Sequence, residues 1–213
     1  VSPLSKIIGL LQIDSTVGDL AGNAERLESL TAIAQANGAQ VAIATELAVC
    51  GYPPRDLLLQ PDFITTSFET AKNLAVEIPV LVGTPIPPDH ERNLPANGVV
   101  RAGVLQAVPN KDNTNRVVAK KQLLPSYDVF DETRYFTPAN RSGICRSIGE
   151  IDLGITICED AWQAAGLTPS AYGQDPVASL AEWGRQGVSL DATVNLSASP
   201  YHADKVGSRI KAV

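Results

Sequence analysis

The sequence predicts a layered α/β fold, and three observations lead to it. Short apolar runs of strand length alternate along the chain with segments whose apolar residues recur at helical spacing. The first such unit is strand, helix, strand, an order typical of a parallel pair joined by a right-handed crossover. The 213 residues can bury a large core in one α/β domain or two small ones. Helices packed on sheets satisfy all three observations, although element order does not separate a four-layer sandwich from a doubly wound sheet.

The first half of the chain supplies predicted strands and the helices between them. Three buried strands are predicted, at residues 6–13, 40–47 and 79–86. The first helix is predicted to start at an Asn23 cap and to end at the Asn37–Gly38 pair. A second helix is predicted over residues 63–78. The loop between the second strand and this helix contains two adjacent prolines, which favour a turn.

The second half continues the alternation. Residues 97–108 and 116–124 predict a β-hairpin with a polar linker, and residues 151–158 and 191–199 predict two further strands. A helix is predicted to start at Asp175 and to stop at Gly187. The loop at residues 124–136 carries four aromatic side chains, which suit either a lid over a substrate or a plug in the core. Apolar residues recur at the end of the sequence (Val206, Ile210, Val213), so we expect an amphipathic helix there and a domain that continues.

Composition excludes some classes of function. The formal net charge of −6 argues against a nucleic-acid backbone as the main partner. No stretch is long and apolar enough to span a bilayer, and the first residues lack the order of a signal peptide. The three cysteines (Cys50, Cys145, Cys158) show no disulfide or metal spacing. We therefore expect free thiols and a cytoplasmic protein.

Reactive side chains stand at three predicted strand ends: Glu46, Lys121 and Cys158. Ligands of open α/β sheets gather where strands end in loops, so these groups would share one pocket if the ends meet. A thiolate could then attack an amide carbonyl, and a carboxylate could take the thiol proton and return it to the leaving amine. The ammonium and the backbone N–H of Glu159 could hold the oxyanion.

Each of these residues also has a purely structural interpretation. Cys158 could be a buried core thiol, and Glu46 a helix cap or one half of a structural salt bridge. One of Lys120 and Lys121 could simply be solvated, since neighbouring strand residues face opposite sides. A cysteine–histidine hydrolase is a further alternative, but neither His90 nor His202 stands in a promising context.

Four segments are more particular than the single residues: ELAVCGYPPRDLLLQPDF, KKQLLPSYDVFDETRYF, GITICEDAW and NLSASPYHADK. Taken together, they resemble the nitrilase (carbon–nitrogen hydrolase) superfamily. Within it, they are most similar to the glutaminase domains of the glutamine-dependent NAD(+) synthetases, and the likeness runs from residue 6 to about residue 205. The resemblance implies a four-layer α/β/β/α sandwich with two mixed sheets, incomplete at its C-terminus.

The resemblance also implies the catalytic roles. Glu46 would be the general base, Lys121 the cation that stabilises the oxyanion, and Cys158 the nucleophile. Glu132 would orient the lysine. The reaction would be hydrolysis of glutamine through a thioester, with release of ammonia and no metal.

Substrate contacts follow from the same resemblance. Glu159, Ser199 and Lys205 would bind the charged α-groups of glutamine, and Tyr127 and Phe130 would line the pocket.

The resemblance also implies a path for the ammonia and a synthetase domain that would use it. Tyr52 would lie near the ammonia exit, and Thr45 replaces a proline that many relatives have before the general base. A synthetase domain that uses ATP and Mg²⁺ is absent from residues 1–213, which we therefore interpret as one incomplete glutaminase domain. In a full-length enzyme, ammonia would serve NAD(+) synthesis from deamido-NAD(+), and homo-oligomers are expected. A stand-alone amidase acting on another amide and an inactive binding or assembly domain remain alternatives.

Overall fold

The computed structural model describes residues 5–88, 100–109, 115–141, 143–169, 171–200, 203 and 205–212. Both histidines, most of the polar linker of the predicted hairpin, and Val213 lie outside the described residues.

Five strands form the larger sheet, in the order β1-β2-β3-β4-β5. They are β1 (Ile8–Leu10), β2 (Val41–Ile43), β3 (Val80–Ile86), β4 (Arg101–Ala107) and β5 (Arg116–Lys120). The first three are parallel, whereas β4 is antiparallel to both β3 and β5, which confirms the predicted hairpin. Strand β5 therefore runs in the same direction as β2, and their carboxyl ends lie at the same edge of the sheet.

Three strands form the smaller sheet, in the order β6-β7-β8. They are β6 (Gly143–Ile148), β7 (Ile151–Ile157) and β8 (Ala192–Leu196). Strand β7 is antiparallel to β6 and parallel to β8, so this sheet is mixed as well. Strand β6 was not predicted, since only the turn that follows it was recognised from the sequence.

Four α-helices complete the described part of the chain: α1 (Leu20–Ala36), α2 (Pro61–Lys72), α3 (Pro176–Arg185) and α4 (Lys205–Ala212). The predicted cap at Asn23 is wrong, because Asp19 caps α1 and accepts the N–H of Gly22. Asn23 lies inside the helix, where its fully buried amide donates to the carbonyls of Thr16 and Val49. The predicted Asp175 cap of α3 is confirmed.

Alternating side chains bury both faces of the larger sheet. On β2, Val41 and Ile43 face the smaller sheet, whereas Ala42 packs in the cluster that includes Leu27 of α1 and Phe68 of α2. On the far side of the smaller sheet, α3 packs on β7. The layers are therefore helix, sheet, sheet, helix, which confirms the four-layer sandwich. None of the helices in the described ranges is both long and apolar enough to cross a membrane.

Gly83 on β3 lies against the backbone that carries Glu46. A Cβ atom there would stand 2.4 Å from the Leu47 nitrogen and 2.8 Å from the Glu46 Cα. We predict that Gly83→Ala lowers the free energy of unfolding by about 1–3 kcal/mol, because backbone cannot move aside cheaply. Urea denaturation measures this. The matched control is Gly184→Ala on α3, where an added Cβ meets nothing within 4 Å and should stabilise by about 0.5–1 kcal/mol. Equal effects at both positions would contradict the prediction.

Candidate active site

A buried ammonium group lies between two carboxylates at the edge where β2 and β5 end. Lys121 follows β5 directly, and its Nζ donates to Glu46 Oε1 and Glu132 Oε1, each at 2.7 Å. All three side chains are buried, and that of Lys121 is fully so. Tyr52 donates its hydroxyl to Glu132 Oε1 at 2.9 Å, and the N–H of Ala198 donates to Glu46 Oε2 at 3.2 Å. Both carboxylates are thus fixed from two sides.

Cys158 stands at the carboxyl end of β7, where the strand turns into a short 3₁₀ helix (Cys158–Ala161). Its φ angle of +48° lies in the left-handed region, which a residue with a Cβ rarely adopts. Such conformations persist where the surroundings enforce them, often at functional sites. Asn195 of β8 donates to the Cys158 carbonyl oxygen at 3.2 Å. The strained turn forms without the flanking glycines of a nucleophile elbow.

Electrostatic interactions couple Lys121 and its two carboxylates to Cys158. Burial raises the pKa of the Cys158 thiol to about 12, and the charge of Glu46 adds to the rise, while Lys121 and the Ser197 side chain oppose it. Burial disfavours the charged form of Lys121, but Glu46, Cys158 and Glu132 outweigh it, so its pKa lies well above its ordinary value. Lys121 therefore stays an ammonium, and Cys158 rests as a neutral thiol at neutral pH.

Two carboxylates share one ammonium, so the cluster carries one excess negative charge when both are ionised. Burial raises the pKa of Glu132. The charge of Lys121 lowers this pKa, and the nearby charge of Glu46 raises it further. A buried cluster with excess negative charge accepts a proton more readily than a solvated carboxylate does.

A cleft of about 410 Å³ opens beside this cluster. Glu46, Tyr52, Ser199 and Lys205 are among the residues that line it. Cys158 is buried and does not line the cleft itself, but Ser197, whose side chain acts on its thiol, does. The cleft is large enough for a small amide substrate beside the general-base candidate.

The predicted substrate-binding residues form two groups. In the first, the Tyr127 hydroxyl lies 2.9 Å from both carboxylate oxygens of Glu159 and shares its one proton between them, and Phe130 packs edge-on against the Tyr127 ring. In the second, the Lys205 Nζ donates to Ser199 Oγ and lies 5.0 Å from the centre of the Trp162 ring. The charge of Glu159 also acts on Lys205, whose pKa is nevertheless lowered, chiefly by burial and by Arg209.

Some residues of the site were missed from the sequence. Tyr172 donates its hydroxyl to Glu159 at 3.2 Å, and Gln163 holds this loop by accepting the Tyr172 N–H and donating to the Tyr172 and Gln174 carbonyls. Tyr172 lies in an irregular loop with no periodic pattern, so no local signal indicated it. In the aromatic loop at 124–136, Phe136 is buried in the core, whereas Tyr127 contacts Glu159 and Phe130 packs against Tyr127.

No His, Cys, Asp and Glu side chains of the described residues come together in a group of three that could hold a metal ion.

The chain is similar in sequence and in fold to several known proteins. No protein-family model matches the chain. The chain is 38% identical to a glutamine-dependent NAD(+) synthetase of Synechocystis over 93% of its own length and 35% of the relative's. It is 34% identical to the enzyme of the same name from Thermotoga maritima, over 93% of the chain and 31% of the relative. The chain thus spans about a third of the length of the curated relatives it matches.

Solved structures show the same fold. A glutamine-dependent NAD+ synthetase from Acinetobacter baumannii superimposes with a TM-score of 0.71 and 24% identity, over 95% of this chain and 34% of that one. An amidase of the nitrilase superfamily from Nesterenkonia AN1 gives a TM-score of 0.67 and 18% identity, over 93% of this chain and 67% of that one.

The fold is therefore a four-layer sandwich of two mixed sheets, with Glu46, Lys121 and Cys158 just beyond the ends of strands from both sheets. The chain shares this fold with a nitrilase-superfamily amidase, and in sequence it is similar to about a third of the length of glutamine-dependent NAD(+) synthetases.

The raised pKa of Cys158 predicts a particular pH dependence for its alkylation. Only the thiolate reacts, so the rate with iodoacetamide should rise about tenfold per pH unit, without a plateau below about pH 10. Peptide mass spectrometry measures the Cys158 adduct over the pH range in which the near-UV circular dichroism is unchanged. A short cysteine peptide, whose rate levels off near its ordinary pKa, is the control. A plateau reached by pH 8 would contradict the prediction.

Proposed function

We propose that this chain hydrolyses the side-chain amide of glutamine through a γ-glutamyl thioester on Cys158. The observation that carries the proposal is the buried Lys121 ammonium, held between Glu46 and Glu132 and coupled electrostatically to a cysteine in a strained turn. Burying these charges costs free energy of folding, which favours a functional reason for the cluster. A thiol, a carboxylate and an ammonium are the groups that amide hydrolysis needs.

The first half-reaction forms the thioester. Glu46 takes the proton of the Cys158 thiol as the sulfur bonds to the amide carbon, and the carbonyl oxygen becomes an oxyanion. The Lys121 ammonium and the backbone N–H of Glu159 stabilise this oxyanion. Protonated Glu46 then gives its proton to the amide nitrogen, the C–N bond breaks and ammonia leaves.

The second half-reaction releases glutamate. Water attacks the thioester carbon while Glu46 takes one of its protons, and the same two donors hold the second oxyanion. The C–S bond breaks, and Cys158 recovers its proton from Glu46. Lys121 stays charged throughout, in keeping with its raised pKa.

Recognition of glutamine is proposed to use opposite charges at the far end of the substrate. Glu159, oriented by the hydroxyls of Tyr127 and Tyr172, would bind the α-amino group. Ser199 and Lys205 would bind the α-carboxylate, and the Trp162 ring supports the lysine. A zwitterion would therefore be favoured over a simple amide.

The wider role is inferred from the relatives. Their names state a glutamine-dependent synthesis of NAD(+). By analogy, a linked synthetase segment would take up the ammonia and form NAD(+) from deamido-NAD(+), with Tyr52 near the ammonia exit. ATP and Mg²⁺ are assigned to that segment, no metal to this one, and no step above passes through them. We interpret residues 1–213 as a glutaminase domain, and homo-oligomers and a cytoplasmic location belong to the proposal. The free, buried thiols of Cys50 and Cys158 are in keeping with a reducing compartment.

The direct test is ammonia release from glutamine. We predict that the chain, alone or within its full-length protein, hydrolyses glutamine and that Cys158→Ala abolishes turnover while circular dichroism stays unchanged. Denaturing mass spectrometry should show a glutamyl adduct on Cys158 during turnover. Cys50→Ala, at another buried thiol, is the matched control and should stay active. Equal turnover of simple amides would favour a general amidase, and a folded chain without any turnover would favour a binding or assembly domain.

Glu159→Gln tests the recognition of the substrate. The amide can still accept the tyrosine hydroxyl bonds but loses the negative charge that would pair with the α-amino group. We predict that the ratio of kcat/KM for glutamine to kcat/KM for a simple amide falls about 10- to 100-fold, the worth of one charged hydrogen bond. Steady-state kinetics on both substrates measure this ratio. An unchanged ratio would show that Glu159 does not read the α-amino group.

A further inference from the structure

Asp160 is a buried carboxylate that the mechanism above does not use. It lies two residues after Cys158 and is only 2% exposed. Its Oδ1 accepts the backbone N–H groups of Gln122 at 3.0 Å and Leu123 at 2.8 Å. Its Oδ2 accepts the N–H of Ile157 at 3.1 Å. Both oxygens are thus engaged by main-chain donors.

The three donors belong to two separate parts of the active site. Gln122 and Leu123 directly follow Lys121, in the segment that leaves the larger sheet. Ile157 directly precedes Cys158, at the end of β7 in the smaller sheet. One side chain therefore connects the backbone beside the ammonium to the backbone beside the sulfur, across the boundary between the two sheets.

A carboxylate is required at this position for a geometric reason. Both of its oxygens accept hydrogen bonds, whereas an asparagine would turn an N–H₂ group toward one of the donor N–H groups. Burial raises the pKa of Asp160 to about 7, and the bond from Leu123, the charge of Lys121, and the bonds from Ile157 and Gln122 all work against this rise. The fold thus keeps an acidic group in a place where burial disfavours its charge.

We propose that Asp160 is a positioning residue that sets the separation between the Lys121 ammonium and the Cys158 sulfur. The proposal rests on the proposed glutaminase reaction for its kinetic consequence. The oxyanion forms on the carbon that the sulfur attacks, so Lys121 stabilises it only if both groups keep a fixed distance. A misplacement of about 1 Å costs about 10²-fold in rate.

The bond to Ile157 has a second consequence, for the strained turn. The positive φ of Cys158 persists only while neighbouring contacts enforce it. Asp160 stabilises this turn, because its Oδ2 accepts the N–H of Ile157, the residue before the cysteine. Without the carboxylate, the turn would open locally and expose the sulfur while the rest of the core stays packed.

The experiment compares Asp160→Asn with Asp191→Asn. Asp191 serves as the control because its carboxylate also accepts a main-chain N–H, that of Asp152, but at the start of β7, the opposite end of the strand from Cys158. In Asp160→Asn, alkylation of Cys158 by iodoacetamide should accelerate about 10- to 100-fold, through loss of a charged hydrogen bond and local opening. Alkylation of buried Cys50 should stay unchanged, and Asp191→Asn should change neither rate.

The alkylation rates can be measured without catalytic turnover. They therefore test the positioning role of Asp160 even if the chain does not hydrolyse glutamine. Equal acceleration at Cys50 and Cys158 would indicate general destabilisation and overturn the proposal, as would no acceleration at Cys158. Where the chain is a glutaminase, Asp160→Asn should lower kcat about 10²-fold with less than about a threefold change in KM.

A second variant covers the case in which Asp160→Asn does not fold. Asp160→Glu keeps both oxygens but places them about one methylene further out. It should fold with a somewhat lower thermal midpoint because of the extra methylene, accelerate alkylation of Cys158 but not of Cys50, and lower kcat. A parent-like kcat and a parent-like Cys158 rate in this variant would overturn the positioning role.

Discussion

The structure depends on one desolvated ammonium group, that of Lys121, and on the two carboxylates that face it. Removing either carboxylate would leave a buried charge poorly compensated, which costs about 3–5 kcal/mol in comparable buried pairs. Glu46 and Tyr52 come from the loop after β2, whereas Glu132 comes from the segment after β5. The cluster therefore links separate parts of the fold and also carries the proposed reaction. Substitutions in it are expected to change both stability and activity.

The two-sheet architecture explains why the reactive groups meet. Lys121 and Glu46 belong to the sheet that α1 and α2 cover, whereas Cys158 ends a strand of the other sheet. Residues such as Ile43 and Ile157 pack in the core between the sheets, just before the reactive ends. Because this core is close-packed, small shifts of one sheet against the other would move the sulfur relative to the ammonium. Hydrogen bonds across the boundary, from Ala198 to Glu46 and from Gln122 to Asp160, limit such shifts.

Much of this arrangement could be predicted from the sequence, for local reasons. Apolar runs located seven of the eight described strands, and strand ends indicated Glu46, Lys121 and Cys158. Strand β6 (Gly143–Ile148) was missed because its short sequence, GICRSI, gives no clean alternation. Two sheets, rather than one, followed only from the family resemblance, since element order is the same for both. The contacts of Asp160 with Gln122 and Leu123, and that of Tyr172 with Glu159, could not be foreseen, because they join different elements and show no sequence periodicity.

The resting cluster also suggests how proton transfer and oxyanion binding are timed in the proposed reaction. In the free protein, Glu46 and Glu132 both accept hydrogen bonds from Lys121. When Glu46 takes the thiol proton it becomes neutral, and its attraction for the ammonium weakens. At that same moment a new negative charge forms on the substrate oxygen, which can take the place that Glu46 held. Glu132, supported by Tyr52, keeps the lysine charged and in position throughout. The second carboxylate is therefore needed because the first one must give up its charge during the reaction.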